Sequence, residues 1–195
     1  YYASRGLGDV YKRQEEAVYE EKKMEETEVC FLMDRFGYMR LIDKNAYERN
    51  KEAAHAENKF IFTCMNTDKI CIFTDMGRMH SIKVADIPLV RFRDKGTPAD
   101  NLSNYDSSQE QILYVAPVGQ VKLSTLLFVT KTSMCKLVAG EEFDVAKRTI
   151  ASTKLGEEDQ LIFVGPADEM EQVVFQSQNA VSYTHLRAHE TRSNL

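Results

Sequence analysis

The sequence predicts an all-β, propeller-like fold of about three blades with the start of a fourth. Three observations carry that expectation. An apolar run, a short polar turn and a second alternating run recur as "VCFLMDRFGYMRLID" from Val29, "KICIFTDMGRMHSIK" from Lys69 and "TLLFVTKTSMCKLVA" from Thr125. Each is followed by a further apolar run of strand length: "KFIFTCMN" (Lys59–Asn66), "QILYVAPV" (Gln111–Val118) and "QLIFVGPA" (Gln160–Ala167). No long stretch carries the 3.6-residue apolar period of an amphipathic helix. Short strands, roughly four to a unit of about 40–50 residues, indicate propeller blades. A β-sandwich also has many short strands, and the internal repeat argues against it.

The two ends are set aside first. Back-translating Val181–Thr191 with one choice of codons, and reading the complementary strand in another frame, gives Ser4–Gln14 residue for residue. Both ends therefore read as opposite strands of one inverted DNA element, which resembles the transposon-end adapter used to prepare sequencing libraries. Residues 1–14 and 181–195 were on this reading never selected to fold or bind, and they carry no weight in fold reasoning. Two motifs go with them. One is the Gly6-x-Gly8 pair, weak as a phosphate loop without a preceding strand. The other is His185 and His189, whose helical spacing is that of a metal-ligand pair.

Residues 15–28 hold seven Glu against Lys22 and Lys23 and read as a solvated linker or short helix. The domain proper spans 29–180, with blades at about 29–66, 67–118 and 122–167 and the start of the next at 168–180. Gly37, Gly77, Ser133 and Asn179 stand at the hairpin turns, and Gly and Asn suit such turns because they tolerate positive φ. Met33, Phe73 and Val129 align on the strands as core residues. The connections "RFRDKGTPADNL" and "DVAKRTIASTKL" share basic residues, a small or polar stretch and then Leu102 or Leu155. His55 lies in a polar connection and is expected to be exposed. Cys30, Cys64, Cys71 and Cys135 form no CxxC pair and read as buried, reduced thiols of a cytoplasmic protein. No apolar run approaches the roughly 20 residues of a membrane span, and no secretory signal is visible.

The segments "FLMDRFGYMRLID", "KICIFTDMGRMHSIKVADIP" with "FRDKG", and "LLFVTKTSMCKLV", "FDVAKRTIASTKL" and "DQLIFV" resemble blades of the C-terminal domain of the type IIA topoisomerase A subunit, in bacterial DNA gyrase or topoisomerase IV. The resemblance covers nearly all of 29–180. It implies a β-pinwheel, a propeller variant whose outer rim binds and bends double-stranded DNA. It also implies that DNA breakage occurs elsewhere, at a tyrosine that follows an arginine. No Arg-Tyr dipeptide occurs here, so the chain is expected to be a non-catalytic part of an ATP-dependent isomerase. No cofactor is expected on this fragment; ATP and magnesium belong to the whole topoisomerase. The ATPase partner of the enzyme and a second copy of the A subunit would engage other parts of it. The expected location is cytoplasmic, at the nucleoid, with no membrane contact. The gyrase A subunit carries a basic, glycine-rich box in its first blade. The corresponding stretch, "NAYERNKEAAHAENK" (Asn45–Lys59), has no glycine and no basic run. That departure favours a topoisomerase IV-like protein over a gyrase wrapping domain, which stands as the alternative.

The formal net charge of −5 does not advertise nucleic-acid binding. Screening limits the reach of each charge to about 8–10 Å, however, so a local basic stripe can act while the linker stays acidic. Cations outnumber carboxylates six to three over Lys69–Gly96 in the second blade and five to three over Lys131–Lys154 in the third, each time just after the turn and before the next apolar strand. The candidate DNA contacts are Arg78, Lys83, Arg91, Arg93 and Lys95 in one and Lys136, Lys147 and Arg148 in the other. Such contacts would go to phosphates and carry bending rather than base sequence. His80 aligns with Arg40 and Lys136 and is expected on the same rim as a spectator. The competing readings are a propeller-type protein-interaction module without DNA binding, favoured by the acidic balance, and a stand-alone enzyme. The latter lacks a paired-carboxylate or Cys/His constellation once the ends are removed.

Overall fold

The structure, a computed structural model, describes residues 25–167 and two short strands at 175–176 and 182–183. The three repeats form three hairpins. They are β1 (Glu28–Asp34) with β2 (Tyr38–Asp43), β4 (Lys69–Thr74) with β5 (Arg78–Lys83), and β8 (Thr125–Thr130) with β9 (Cys135–Ala139). Each turns on a residue of positive φ: Gly37 at +83°, Gly77 at +69° and Ser133 at +64°. In the first turn Asp34 Oδ1 also accepts from the Phe36 and Tyr38 N–H groups at 2.8 and 3.0 Å, the local bonding that makes Asp a turn residue. Asn179 lies outside the described residues. The strands on either side of it, β12 (Phe175–Gln176) and β13 (Ser182–Tyr183), pair antiparallel.

The second apolar run of each unit adds one strand beside the hairpin: β3 (Asn58–Met65) on β1, β7 (Ile112–Pro117) on β4 and β11 (Leu161–Pro166) on β8. The fourth strand of the first sheet is β6 (Thr97–Pro98), which leaves the second unit to pair with β2. The fourth strand of the second sheet is β10 (Thr149–Ala151), which leaves the third unit to pair with β5. The sheets therefore run β3-β1-β2-β6, β10-β5-β4-β7 and β11-β8-β9. Each unit closes the sheet of the one before it. β3 touches β7 and β7 touches β11, so these edges converge, while the β2, β5 and β9 side of each sheet faces outward.

The period-2 alternation sorts side chains between two seams. Phe31, Met33, Met39 and Leu41 of the first sheet meet Ile70, Ile72, Ile82 and Val115 of the second. Cys71, Phe73, Met79 and Ala116 of the second meet Leu126, Phe128, Val138 and Val164 of the third. Met33, Phe73 and Val129 are all buried, as their alignment requires. The first sheet's other face, Cys30, Leu32 and Ile42, is covered from the connection after β2. That connection, polar in sequence, forms α1 (Lys44–Arg49) and α2 (Lys51–Glu57). Asp43 caps α1 by accepting from Ala46 N at 2.8 Å, and Ala54 drops into the sheet face. α3 (Ala99–Leu102) follows β6, and α4 (Val118–Leu123) joins β7 to β8. His55 is exposed and lies 3.1 Å from the Tyr47 hydroxyl.

One close approach fixes the second seam. Gly140 N donates to Ser124 O at 2.8 Å, and a Cβ there would run into the Val121 carbonyl oxygen. Backbone on both sides cannot yield as a side chain would. Gly140→Ala is expected to cost about 3 kcal/mol, at the upper end of overpacking. Gly119→Ala in α4, where nothing lies within 4 Å, is expected to be neutral or to stabilise by about 0.5–1 kcal/mol. Urea unfolding of the two variants checks the contrast.

Candidate nucleic-acid interface

All eight candidate cations are exposed. Arg78 and Lys83 bound β5, and Lys136 lies on β9, the outer strand of its sheet. Arg91, Arg93 and Lys95 occupy the segment that leads into β6, and Lys147 and Arg148 the segment that leads into β10. None lies on the converging strands. Registers make two of them equivalent. Met39 pairs with Thr97 and Met79 with Ile150, so Lys95 and Arg148 each stand two residues before the matching position of a closing strand.

The loop into β6 is held by backbone rather than left free. Leu41 N donates to Pro88 O at 3.0 Å and Val90 N to Leu41 O at 2.9 Å, which ties the loop to β2. A turn follows, with Asp94 N donating to Arg91 O at 3.0 Å and Arg91 N to Asp94 Oδ2 at 3.1 Å. Phe92 packs inward on the Cys30–Leu32–Ile42 face, which leaves Arg91 and Arg93 pointing out. Lys95 Nζ sits 4.4 Å from the centre of the Tyr38 ring, a cation–π contact that restrains the side chain. The loop into β10 is tied likewise, Ser81 N donating to Arg148 O at 2.7 Å. Arg148 and Lys83 then line one groove with Lys69, and Asp86 is the carboxylate among them.

Arg78 differs. Its Nη1 donates to Glu110 Oε1 at 2.8 Å, and its side chain is half-exposed. Glu110 itself is 2% exposed and anchors a buried network. Its Oε2 lies 3.1 Å from His80 Nε2, and His80 Nδ1 lies 3.1 Å from Thr149 Oγ1. The Tyr105 hydroxyl donates to Glu110 O at 2.9 Å. Burial pushes the Glu110 carboxyl up, but bonds from His80, Thr74 and Arg78 outweigh it and hold it below the usual carboxylate range. His80 is therefore not on the rim, as its alignment had suggested: it is fully buried. The closing strand explains why, since β10 sets Thr149 directly opposite it.

Sequence reasoning passed over Glu110 and Tyr105, and it met Arg40 only as the residue aligned with His80 on the expected rim. Arg40 is the equivalent of His80 on β2, 7% exposed. A polar residue at matching strand positions, between "M" and an apolar neighbour in "MRLI" and "MHSI", was the available signal. The buried thiols offer no nucleophile. Burial pushes Cys64 and Cys71 up to about 12 and Cys30 to about 11, so they stay protonated. Cys135 departs from the expectation of burial: it is only partly covered, because β9 stands at the end of its sheet. Among the described residues no group of His, Cys, Asp and Glu is arranged to hold a metal, and no helix is long and apolar enough to cross a membrane. His185 and His189 lie outside the described residues.

No protein-family model matches the sequence. Curated relatives do. The chain is 24% identical over 157 residues to the DNA gyrase A subunit of Streptococcus pneumoniae, covering 74% of this chain and 19% of that protein. It is 27% identical over 165 residues to the DNA gyrase A subunit of Clostridium acetobutylicum, covering 78% and 20%. The chain thus spans about a fifth of the length of these relatives. Among solved structures it superposes on the C-terminal domain of DNA topoisomerase IV with a TM-score of 0.72 at 20% identity, over 83% of this chain and 52% of that one. The E. coli ParC C-terminal domain gives 0.56 at 11% identity, over 75% and 59%. The fold is that of these C-terminal domains, the β-pinwheel that the resemblance implies.

Proposed function

We propose that this chain is a DNA-engaging part of the A subunit of a bacterial type II topoisomerase, of topoisomerase IV-like character, which binds duplex along its outward sheet edges and bends it. The observation that carries the reading is the placement of the cations. All eight lie on the outward strands or in the loops that feed the closing strands, and Lys95 and Arg148 repeat at equivalent positions. A stripe of this kind follows a phosphate backbone around a curved edge without reading bases. The similarity to the A subunit of DNA gyrase and to the topoisomerase IV domain supports the same reading.

The first blade supports topoisomerase IV over gyrase. Where a basic, glycine-rich box would be needed for wrapping, Lys44–Arg49 and Lys51–Glu57 form helices whose apolar side caps the sheet. On this proposal strand cleavage, ATP and divalent metal all belong to parts of the enzyme outside this chain.

The reading is tested by titrating the full chain with a fluorescent 30-base-pair duplex at 50 to 200 mM KCl. Neutralising about three phosphates gives a slope near −2.7 in log K against log [salt], or about a 40-fold loss across that range. Binding that is undetectable at 50 mM, or that ignores salt, sinks the proposal and leaves the protein-interaction reading.

A further inference from the structure

Arg40 and His80 occupy the same strand position in successive sheets, but they are satisfied differently. His80 finds Glu110 and Thr149. Arg40, 7% exposed where His80 is fully buried, has no ion pair among the described residues, and its Nε is buried without a hydrogen-bond partner. Its guanidinium lies 5.8 Å from the centre of the Phe92 ring, a cation–π contact at the outer limit of its range. A buried N–H without an acceptor is unfavourable. The residue is 93% removed from solvent, since 7% remains exposed.

That fork opens into a groove. The walls are Arg40, Asn50 at the junction of α1 and α2, and the turn residues Phe92, Arg93 and Lys95, with Glu57 and Asp94 also on the rim. Asp94 is held by the Arg91 N–H, and Glu57 is exposed on the last turn of α2. Three cations from two elements thus line one concave site whose innermost member has a buried Nε without a hydrogen-bond partner. We infer that this groove is a phosphate site and that Arg40 anchors one backbone phosphate of the bound duplex, with Arg93 and Lys95 flanking it. Planar, bidentate bonding to phosphate is what the guanidinium fork offers and a lysine does not. The inference rests on the proposed DNA-binding role and assigns that role a deep contact in addition to the exposed stripe.

The test compares the full chain with its Arg40→Gln and Arg40→Lys variants. Two readouts are used: thermal unfolding in inorganic phosphate against KCl at matched ionic strength, and duplex titration at several salt concentrations. In the wild type, phosphate is expected to raise Tm more than chloride does, and Arg40→Gln is expected to abolish the difference. Arg40→Gln should weaken duplex binding about tenfold and reduce the salt slope by about one. Arg40→Lys, which keeps the charge and loses the fork, should keep the slope while binding more weakly; it also serves if Arg40→Gln does not fold. Unchanged affinity and slope in a folded Arg40→Gln variant, with the wild type binding duplex, overturns the groove and leaves the rim standing. A phosphate-dependent Tm with unchanged duplex binding assigns the site to a free anion and overturns the duplex contact. Absence of duplex binding by the wild type overturns the role on which the inference rests.

Discussion

Phe73→Ala is expected to lower the stability of the fold by about 3–5 kcal/mol, the range for removing a large aromatic side chain from a closed core. Phe73 is fully buried on β4 and sits at the centre of the seam between the second and third sheets. Its ring meets Phe143 edge-on at 5.0 Å, Phe128 edge-on at 6.0 Å and Tyr114 at 6.1 Å. Edge-to-face pairs of this kind contribute beyond the area they bury. The four rings come from both sheets and from the turn after β9, so truncation opens a void that no single element can collapse to fill. Urea unfolding measures the loss. A change below about 1 kcal/mol would mean that the seam does not couple the two sheets as its packing implies.

The second large effect belongs to Glu110. Replacing it with Ala strips His80 and Arg78 of a common acceptor and leaves His80 buried with Thr149 alone. Leaving the buried His80 Nε2 and the Arg78 fork without their acceptor is expected to cost about 1–3 kcal/mol. Acid should mimic part of that loss. The folded carboxyl lies below its ordinary value of 4.5. A depressed acid contributes stability that is present above its unfolded value and is lost as pH falls through the folded one. The wild type should therefore lose stability below about pH 4.5, and Glu110→Gln should show a flatter acid limb at lower overall stability. Thermal unfolding between pH 3 and 7 separates the two; parallel limbs would remove Glu110 from the account. Because Arg78 shares this carboxylate, it is the candidate cation with the least freedom to meet DNA, and on the proposed reading the loops into β6 and β10 carry more of the interface.

The hairpins were legible because each is local. An apolar run, a residue that accepts positive φ, and a second alternating run suffice, and Gly37, Gly77 and Ser133 do what their positions require. The third strand of each sheet was legible as an apolar run of strand length, although its partner is remote in sequence. The closing strands were not. β6 is two residues long and one of them is Pro98, so neither propensity nor alternation marks it; its partner β2 lies in the preceding unit. The helices α1 and α2 are six and seven residues long, too short for a 3.6-residue period to stand out. Even so, Asp43 as a cap and the alanines at 46, 53, 54 and 56 were signals of a kind. The placement of the exposed cations followed from their spacing around turns and strands. The fates of Arg40 and His80 did not, because burial there depends on remote residues. Glu110 is 30 positions from His80 and Thr149 is 69, and no local pattern announces either.

The central claim is that duplex binding comes from particular outward-edge cations and not from charge in general. The triple variant Arg93→Ala, Lys95→Ala, Arg148→Ala is compared with a charge-matched control, Lys44→Ala, Lys59→Ala, Lys122→Ala, whose residues lie on α1, β3 and α4. The deciding measurement is the salt slope of duplex affinity for each. The edge variant is predicted to bind at least tenfold more weakly, with a slope reduced by about two, while the control stays within about threefold of the wild type. Equal losses in the two variants would contradict the claim.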